Sequence, residues 1–80
     1  MPNNIGARRG IAHDLMLRIA ESPEQVVSVR AGREIRQSRI PTGEPGKWHL
    51  VRLIVDFGEG GAVVVTAYRT SRIGKYWRSE

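Results

Sequence analysis

The stretch WHLVRLIVDFGEGGAVVVTAYR, residues 48–69, decides the fold. It holds two runs rich in β-branched residues, 48–57 and 61–69, with a glycine-rich cluster at 58–61 between them. Such runs favour strands and such a cluster favours a turn. The stretch therefore predicts a β-hairpin.

The register of this hairpin determines which side chains share a face, because a slip of one residue exchanges the two faces. A loop with an even number of residues would place Arg52 among apolar side chains. We therefore predict an odd loop, such as three residues with a glycine bulge. One face then collects an apolar set: Val51, Leu53, Val55, Phe57, Val63, Val65 and Ala67. The other face collects Arg52, Thr66, Tyr68 and Thr70.

Two more strands are predicted before the hairpin. Residues 24–30 and 33–40 form strand candidates that Ala31-Gly32 joins as a second hairpin, and residues 41–46 form a longer loop. Connections this short predict an antiparallel meander. In the second of these strands we place Ile35 on the apolar face. Its polar residues Glu34, Arg36 and Ser38 then join Arg52 on the other face.

A helix is predicted at the start of the domain. Ile11, Leu15 and Ile19 recur every four residues, which is typical of an amphipathic helix, and Ser22-Pro23 ends it. Residues 1–9 are expected to form a loose arm. The chain has 80 residues, too few for two stable cores, so we predict one α+β domain. Its helix packs on a four-stranded antiparallel meander, and a short helical turn lies in the tail, residues 70–80.

Composition limits the classes of function. The chain has no cysteine, and His13 and His49 are far apart in sequence, so we expect no metal site and no cofactor. No signal peptide or membrane span is evident, so we expect a cytoplasmic protein. The net charge is +5, and eleven of the thirteen basic residues are arginine. Arginine grips phosphate and stacks on bases, which favours a nucleic-acid partner. The alternative is that arginine merely replaces lysine here because of the coding bias of a GC-rich genome.

The face with Arg52 holds the candidate site. Arg52 interrupts an apolar strand, where a charge is costly unless it pairs with an anion or reaches water. The alternatives to an anion ligand are a side chain that extends to solvent and an ion pair with Asp56 or Glu34. Tyr68 is alternatively a half-buried strand aromatic, and His49 an ordinary surface residue.

The tail combines cations with aromatic residues. Basic residues occupy every third position, with two aromatics beside the last of them, a pattern that suits single-stranded RNA. Thr70 or Ser71 is expected to cap a short helical turn. We assign RNA contacts to Arg69, Arg72, Lys75, Tyr76 and Arg78. Trp77 is expected to pack on the sheet instead, and for Tyr76 both roles stay open.

These residues resemble the family catalogued as domain of unknown function forty-two fifty-eight. The closing run VVVTAYRTSRIGKYW, residues 63–77, carries most of the resemblance. Shorter matching runs lie at residues 8–11, 22–27, 32–35 and 49–55. Members are similar to ribonuclease toxins of the RelE/barnase type. The resemblance thus implies an RNA-cleaving toxin with a small antitoxin-like protein partner.

Cleavage without a metal would proceed by attack of the ribose 2′-hydroxyl on the adjacent phosphate. Under this hypothesis Arg36 and Arg52 bind the phosphate, Tyr68 or His49 transfers the proton, and Thr70 positions the substrate. The alternative is a module without catalysis that binds RNA or another protein. A core this small also leaves room for an oligomer.

Overall fold

The computed structural model describes residues 11–79, and the predicted arm, residues 1–9, lies outside them. Within this range the chain forms one helix, an antiparallel sheet and a final helical turn, which confirms the predicted α+β fold. The sheet order is β1-β2-β3-β4. The elements in chain order are α1 (His13–Glu21), β1 (Gln25–Arg30), β2 (Arg33–Pro41), β3 (Trp48–Gly58), β4 (Gly61–Thr70) and α2 (Ile73–Tyr76). No helix among the described residues is both long enough and apolar enough to cross a membrane.

Helix α1 covers one face of the sheet, here called the helix face. Met16 and Ile19 of the helix and Ile11 just before it are buried against the strands. The helix begins at His13 rather than near Ile11, and Leu15 of the predicted spacing is only partly buried. The helix ends before Pro23, and the Ser22 N–H donates to the Arg18 carbonyl at 2.8 Å. The core between helix and sheet consists of Ile11, Met16, Ile19, Val51, Leu53, Val55 and Ala67.

Strand β3 is buried on both faces. The exposed fraction is 8% or less for each of four consecutive residues, Leu50, Val51, Arg52 and Leu53. One face of β3 lies against α1. The other lies against residues 71–78, which cross the sheet and are here called the strap; this second face is the strap face. Arg52 is therefore held inside the structure between sheet and strap.

The hairpin loop differs from the prediction. Gly58 pairs with Gly61, so the turn has two residues, Glu59 and Gly60, and the extra residue is a bulge at Val65 within β4. Gly61 has a φ of 106°, which favours glycine. Because the bulge shifts the register as the odd loop would have done, Thr66, Tyr68 and Thr70 still share the face of Arg52. The placement of Val63 was wrong, since it pairs with Asp56 and lies on the strap face. The placement of Val65 in the core was wrong too, since Val64 packs there and Val65 is exposed at the bulge.

The predicted orientation of β2 was also wrong. Ile35 pairs with Ile54 on the strap face, whereas Glu34, Arg36 and Ser38 lie on the helix face. Hydrogen bonds of polar side chains favour this orientation of β2. The Arg36 guanidinium donates to the Ala20 carbonyl in the last turn of α1. Arg36 also bonds Glu34 at 2.6 Å, and the Ser38 hydroxyl accepts from the Glu24 N–H at 3.0 Å. These groups satisfy the backbone where the helix ends.

Candidate functional site

A row of polar side chains crosses all four strands on the strap face. Gln25, Gln37, Arg52 and Tyr68 lie directly opposite one another from β1 to β4 and are here called the polar row. Gln37 donates to Gln25 at 2.8 Å. The Nε of Arg52 donates to Gln37 at 2.8 Å, and its Nη1 to the Tyr68 hydroxyl at 2.6 Å. The row is thus a continuous hydrogen-bonded chain.

The polar row also fastens the strap. The Gln37 side chain donates to the Tyr76 carbonyl at 3.2 Å. Gln25 donates to the Arg78 carbonyl at 2.6 Å and accepts from the Arg78 N–H at 3.1 Å. These two bonds to the backbone N–H and carbonyl of one residue imitate the pairing of another strand. The strap is consequently fixed at its middle and at its end.

Aromatic rings surround the Arg52 guanidinium. The guanidinium carbon lies 4.2 Å from the ring centre of Tyr76 and 5.8 Å from that of Tyr68. The two rings meet edge to face with centres 6.5 Å apart. Contact with the negative faces of aromatic rings stabilises a cation that has left water. Tyr76 therefore contributes its ring to Arg52 rather than presenting it to solvent.

No carboxylate of the described residues forms an ion pair with Arg52. Asp56 pairs with Arg33 at 2.5 Å, and Glu34 pairs with Arg36, so the alternative of an ion pair between Arg52 and either acid does not hold. Arg52 is 8% exposed, so its side chain does not extend to solvent either. It remains a buried cation whose partners are neutral groups.

Two ion pairs on the strap face shift pKa values. The Arg33 guanidinium, hydrogen-bonded to both carboxylate oxygens, holds the pKa of Asp56 below its ordinary value. Arg39 does the same to the pKa of Glu24 through side-chain and backbone hydrogen bonds. Arg39 also stacks 4.1 Å from the ring centre of Trp77, which is half-buried. Trp77 thus packs on the sheet, as predicted.

The structure brings together only part of the predicted catalytic set. Arg52, Tyr68 and Thr70 share the strap face, and the Thr70 hydroxyl accepts from the Arg72 N–H at 3.0 Å at the start of the strap. Arg36 and His49 lie on the helix face, so their predicted place beside Arg52 was wrong. His49 lines a cavity there with residues of α1 and of the core: Ile11, Leu15, Ile40 and Val51.

Charge is divided unevenly along the described residues. Residues 11–59 hold seven basic and seven acidic side chains, whereas residues 60–79 hold four basic side chains and no acidic one. These four are exposed, and none forms an ion pair with another described residue. They are the predicted RNA contacts Arg69, Arg72, Lys75 and Arg78. We call residues 60–79 the basic segment.

Three residues of the site were missed by the sequence analysis. Gln25 and Gln37 looked like ordinary polar strand residues, and only the register reveals them as partners of Arg52. Trp48, half exposed at the start of β3, lines a cavity of about 490 Å³ with Arg39 and Ile73. An aromatic residue directly after Lys47 was the available signal for Trp48.

Fold and site together define a small α+β domain in which, among the described residues, the excess of positive charge lies in the basic segment, and the strap part of that segment covers a buried arginine. Comparisons with protein-family models, with curated proteins and with solved structures return no match. The resemblance to domain of unknown function forty-two fifty-eight therefore stays a prediction. No group of three or more residues able to hold a metal ion occurs in the described part of the chain.

Proposed function

We propose that this protein binds single-stranded RNA through the basic segment. The proposal depends on the uneven distribution of charge. Residues 11–59 are neutral overall, whereas all charged side chains of residues 60–79 are basic. Exposed cations without carboxylate partners are available to phosphates, and binding releases the counterions of the RNA. Three of the four cations are arginine, which matches phosphate geometry.

The fixed strap favours binding because it holds the cations in place beforehand. Gln37 and Gln25 hold the backbone at Tyr76 and Arg78, so ordering the strap costs little when RNA arrives. Trp48, half exposed beside Ile73 of the strap, supplies a ring on which a base can stack. The cations of the strap and the stacking ring thus lie on the strap face, whereas Arg69 pairs with Val51 and lies on the helix face.

Fluorescence anisotropy with a labelled RNA of about 12 nucleotides tests this proposal. We expect Arg72→Gln with Lys75→Gln to weaken binding by about tenfold and to reduce the slope of log K against log salt by about 1.4. Arg18→Gln is the matched control, because Arg18 is exposed on α1 at the other face. An equal loss in the control, or no binding by the unaltered protein, would refute the proposal.

A stacking role for Trp48 has its own readout. Trp48→Ala should weaken RNA binding without changing the salt slope, because stacking does not release counterions. Val29→Ala, another exposed apolar residue shortened on β1, is the control. A loss that appears only as a changed salt slope would contradict stacking.

RNA cleavage is the second candidate, favoured by the contact of Arg52 with the Tyr68 hydroxyl. The 2′-oxygen would bond to phosphorus and give its proton to water, while the bond from phosphorus to the 5′-oxygen breaks and leaves a cyclic phosphate. Arg52 would stabilise the charge added to the phosphate, and Tyr68 would protonate the leaving 5′-oxygen. Tyr76 lies over Arg52, so the strap has to shift before a phosphate reaches the guanidinium. Under this hypothesis the protein is a toxin, and a companion protein would restrain it.

A ribonuclease assay on the purified protein separates the two candidates. Cleavage that falls sharply in both Tyr68→Phe and Arg52→Lys supports catalysis, whereas RNA binding without cleavage supports the binding module. Cleavage at the original rate by a variant that carries both Tyr68→Phe and Arg52→Lys would show that this site is wrong. Induced expression should arrest growth only if the protein is a toxin, and copurification would identify a companion.

A further inference from the structure

A groove lies on the helix face between α1 and the adjoining ends of β2 and β3. It consists of two cavities of about 180 and 520 Å³, and both are lined by Leu15, Ile40 and Pro41. The smaller cavity reaches the core, since Ile11 and Val51, which also line it, are each 2% exposed. Together the cavities fall within the size of small-molecule sites, roughly 300–1,000 Å³. The groove can therefore bury an apolar chain.

Two hydrogen-bond donors lie at the smaller cavity. His49 and Arg69 both line it. Val51, the strand partner of Arg69, lies two residues after His49 on β3. His49 and Arg69 are therefore diagonal neighbours on one face of the sheet, with backbones about 7–8 Å apart. An imidazole and a guanidinium at this spacing can both donate to one carboxylate that lies between them.

The charge around the groove favours an anion as its occupant. Arg18 lines the larger cavity and Arg69 the smaller, and no described carboxylate lines either of them. Both arginines are exposed, and neither forms an ion pair with another described residue. Residues 1–10 contain two arginines and no acidic residue, so charge does not favour that segment as the occupant. An acidic ligand would complement this groove.

We propose that the groove binds a small carboxylate with an apolar chain, such as a medium-chain fatty acid. The carboxylate lies between His49 and Arg69, and the chain lies over Leu15 and Ile40 toward the larger cavity. The groove reaches the depth of the core, where a narrow chain fits and the surface of a folded partner does not. This inference concerns the helix face, does not depend on RNA binding and is tested without RNA.

NMR titration of the isotope-labelled protein with octanoate tests the site. We expect saturable shifts of backbone amides around the groove, with a dissociation constant of about 1 mM or below. Arg69→Gln should weaken octanoate binding about tenfold, because it removes a charged donor. Arg30→Gln is the matched control, since Arg30 is exposed at the end of β1 and does not line the groove. No saturable binding, or an equal loss in Arg30→Gln, would overturn the proposal.

Two further ligands test the charged group and the chain separately. Octanamide keeps the chain without the charge and should bind at least about tenfold more weakly than octanoate. Butyrate keeps the charge, and each methylene that it lacks should cost roughly fourfold in affinity if the groove buries the chain. Circular dichroism checks that each variant folds. Equal affinities for octanoate and octanamide, or for octanoate and butyrate, would show that the groove does not bind this class of ligand.

Discussion

The buried cation Arg52 offers the sharpest test of the structure. Arg52→Met removes the charge and keeps a long, flexible side chain. Gln37 has no exposed surface, and its Oε1 loses the hydrogen bond that Arg52 donates. The ring of Tyr76 also loses its contact with the guanidinium. The Tyr68 hydroxyl also loses its 2.6 Å donor. Tyr68 is only half-buried, so water can replace that donor.

The magnitude follows from these losses. A buried acceptor without a partner costs about 1–3 kcal/mol. Loss of the contact with the aromatic ring of Tyr76 costs about 0.5–2 kcal/mol. The variant no longer has to desolvate a charge, which offsets part of this cost. We therefore expect the free energy of unfolding to fall by about 2–3 kcal/mol, or the Tm by roughly 10–20 °C for a domain of this size.

Urea denaturation followed by tryptophan fluorescence and by circular dichroism measures this loss. Arg33→Met is the matched control, because Arg33 lies on the same face in an ion pair whose side chains are 30% and 39% exposed. Exposed pairs contribute little to stability, so the control should lose clearly less.

Two outcomes would refute this account of Arg52. The first is a loss below about 0.5 kcal/mol in Arg52→Met, the range of surface substitutions. The second is an equal loss in Arg33→Met. The double variant Arg52→Met with Gln37→Met should lose less than the two single variants summed, because it removes the unpaired acceptor together with its donor.

Three further predictions concern the strap, the pH dependence and the hairpin turn. Gln25→Ala should cost about 1 kcal/mol and speed hydrogen exchange of strap amides ahead of sheet amides. The pKa of Glu24 is lowered in the folded state by its hydrogen bonds to Arg39, so its stabilisation is present at neutral pH and is lost as pH falls from the ordinary glutamate pKa through the lowered one. Thermal melts should show this loss, and Arg39→Gln should reduce it. Gly61→Ala should cost about 1–2 kcal/mol in denaturation experiments because of its φ of 106°, whereas Gly58→Ala should cost less.

The sequence was sufficient to predict the elements of the fold. The four-residue spacing in α1 and the β-branched runs of β3 and β4 depend on local periodicity, and the structure follows them. The tail turn α2 was also predicted, but its expected cap by Thr70 or Ser71 was wrong, because Arg72 occupies the N-cap position and no side chain caps the turn. The Thr70 hydroxyl accepts from the Arg72 N–H instead.

The orientation of β2 could not be predicted from local pattern. A single apolar residue, Ile35, seemed to belong in the core. The structure instead turns Arg36 toward the end of α1, where it bonds the Ala20 carbonyl. That bond joins residues from separate elements, and neither the helix nor the strand shows it alone. The misplacement of His49 and Val63 has a similar origin, since strand register depends on neighbouring strands and on a bulge inside β4.

The candidate site was predicted in part for the same reason. Arg52 and Tyr68 were identified because a charge within an apolar strand is costly. The glutamines of the polar row carry no such signal, because polar residues are common on exposed strands. The face also looked open, whereas the strap covers it. The strap lies over this face because the side chains of Gln25 and Gln37 bond its backbone, which is distant from them in sequence.

The two hydrogen bonds between Gln25 and Arg78 have a consequence for the order of folding. The two residues are 53 positions apart in sequence, whereas every strand pair of the meander is between neighbours. Contacts between neighbouring elements close short loops and form early, and a contact over such a separation forms late. The strap should therefore dock last and detach first. The exposed cations of the strap would then be the last part of the molecule to become ordered.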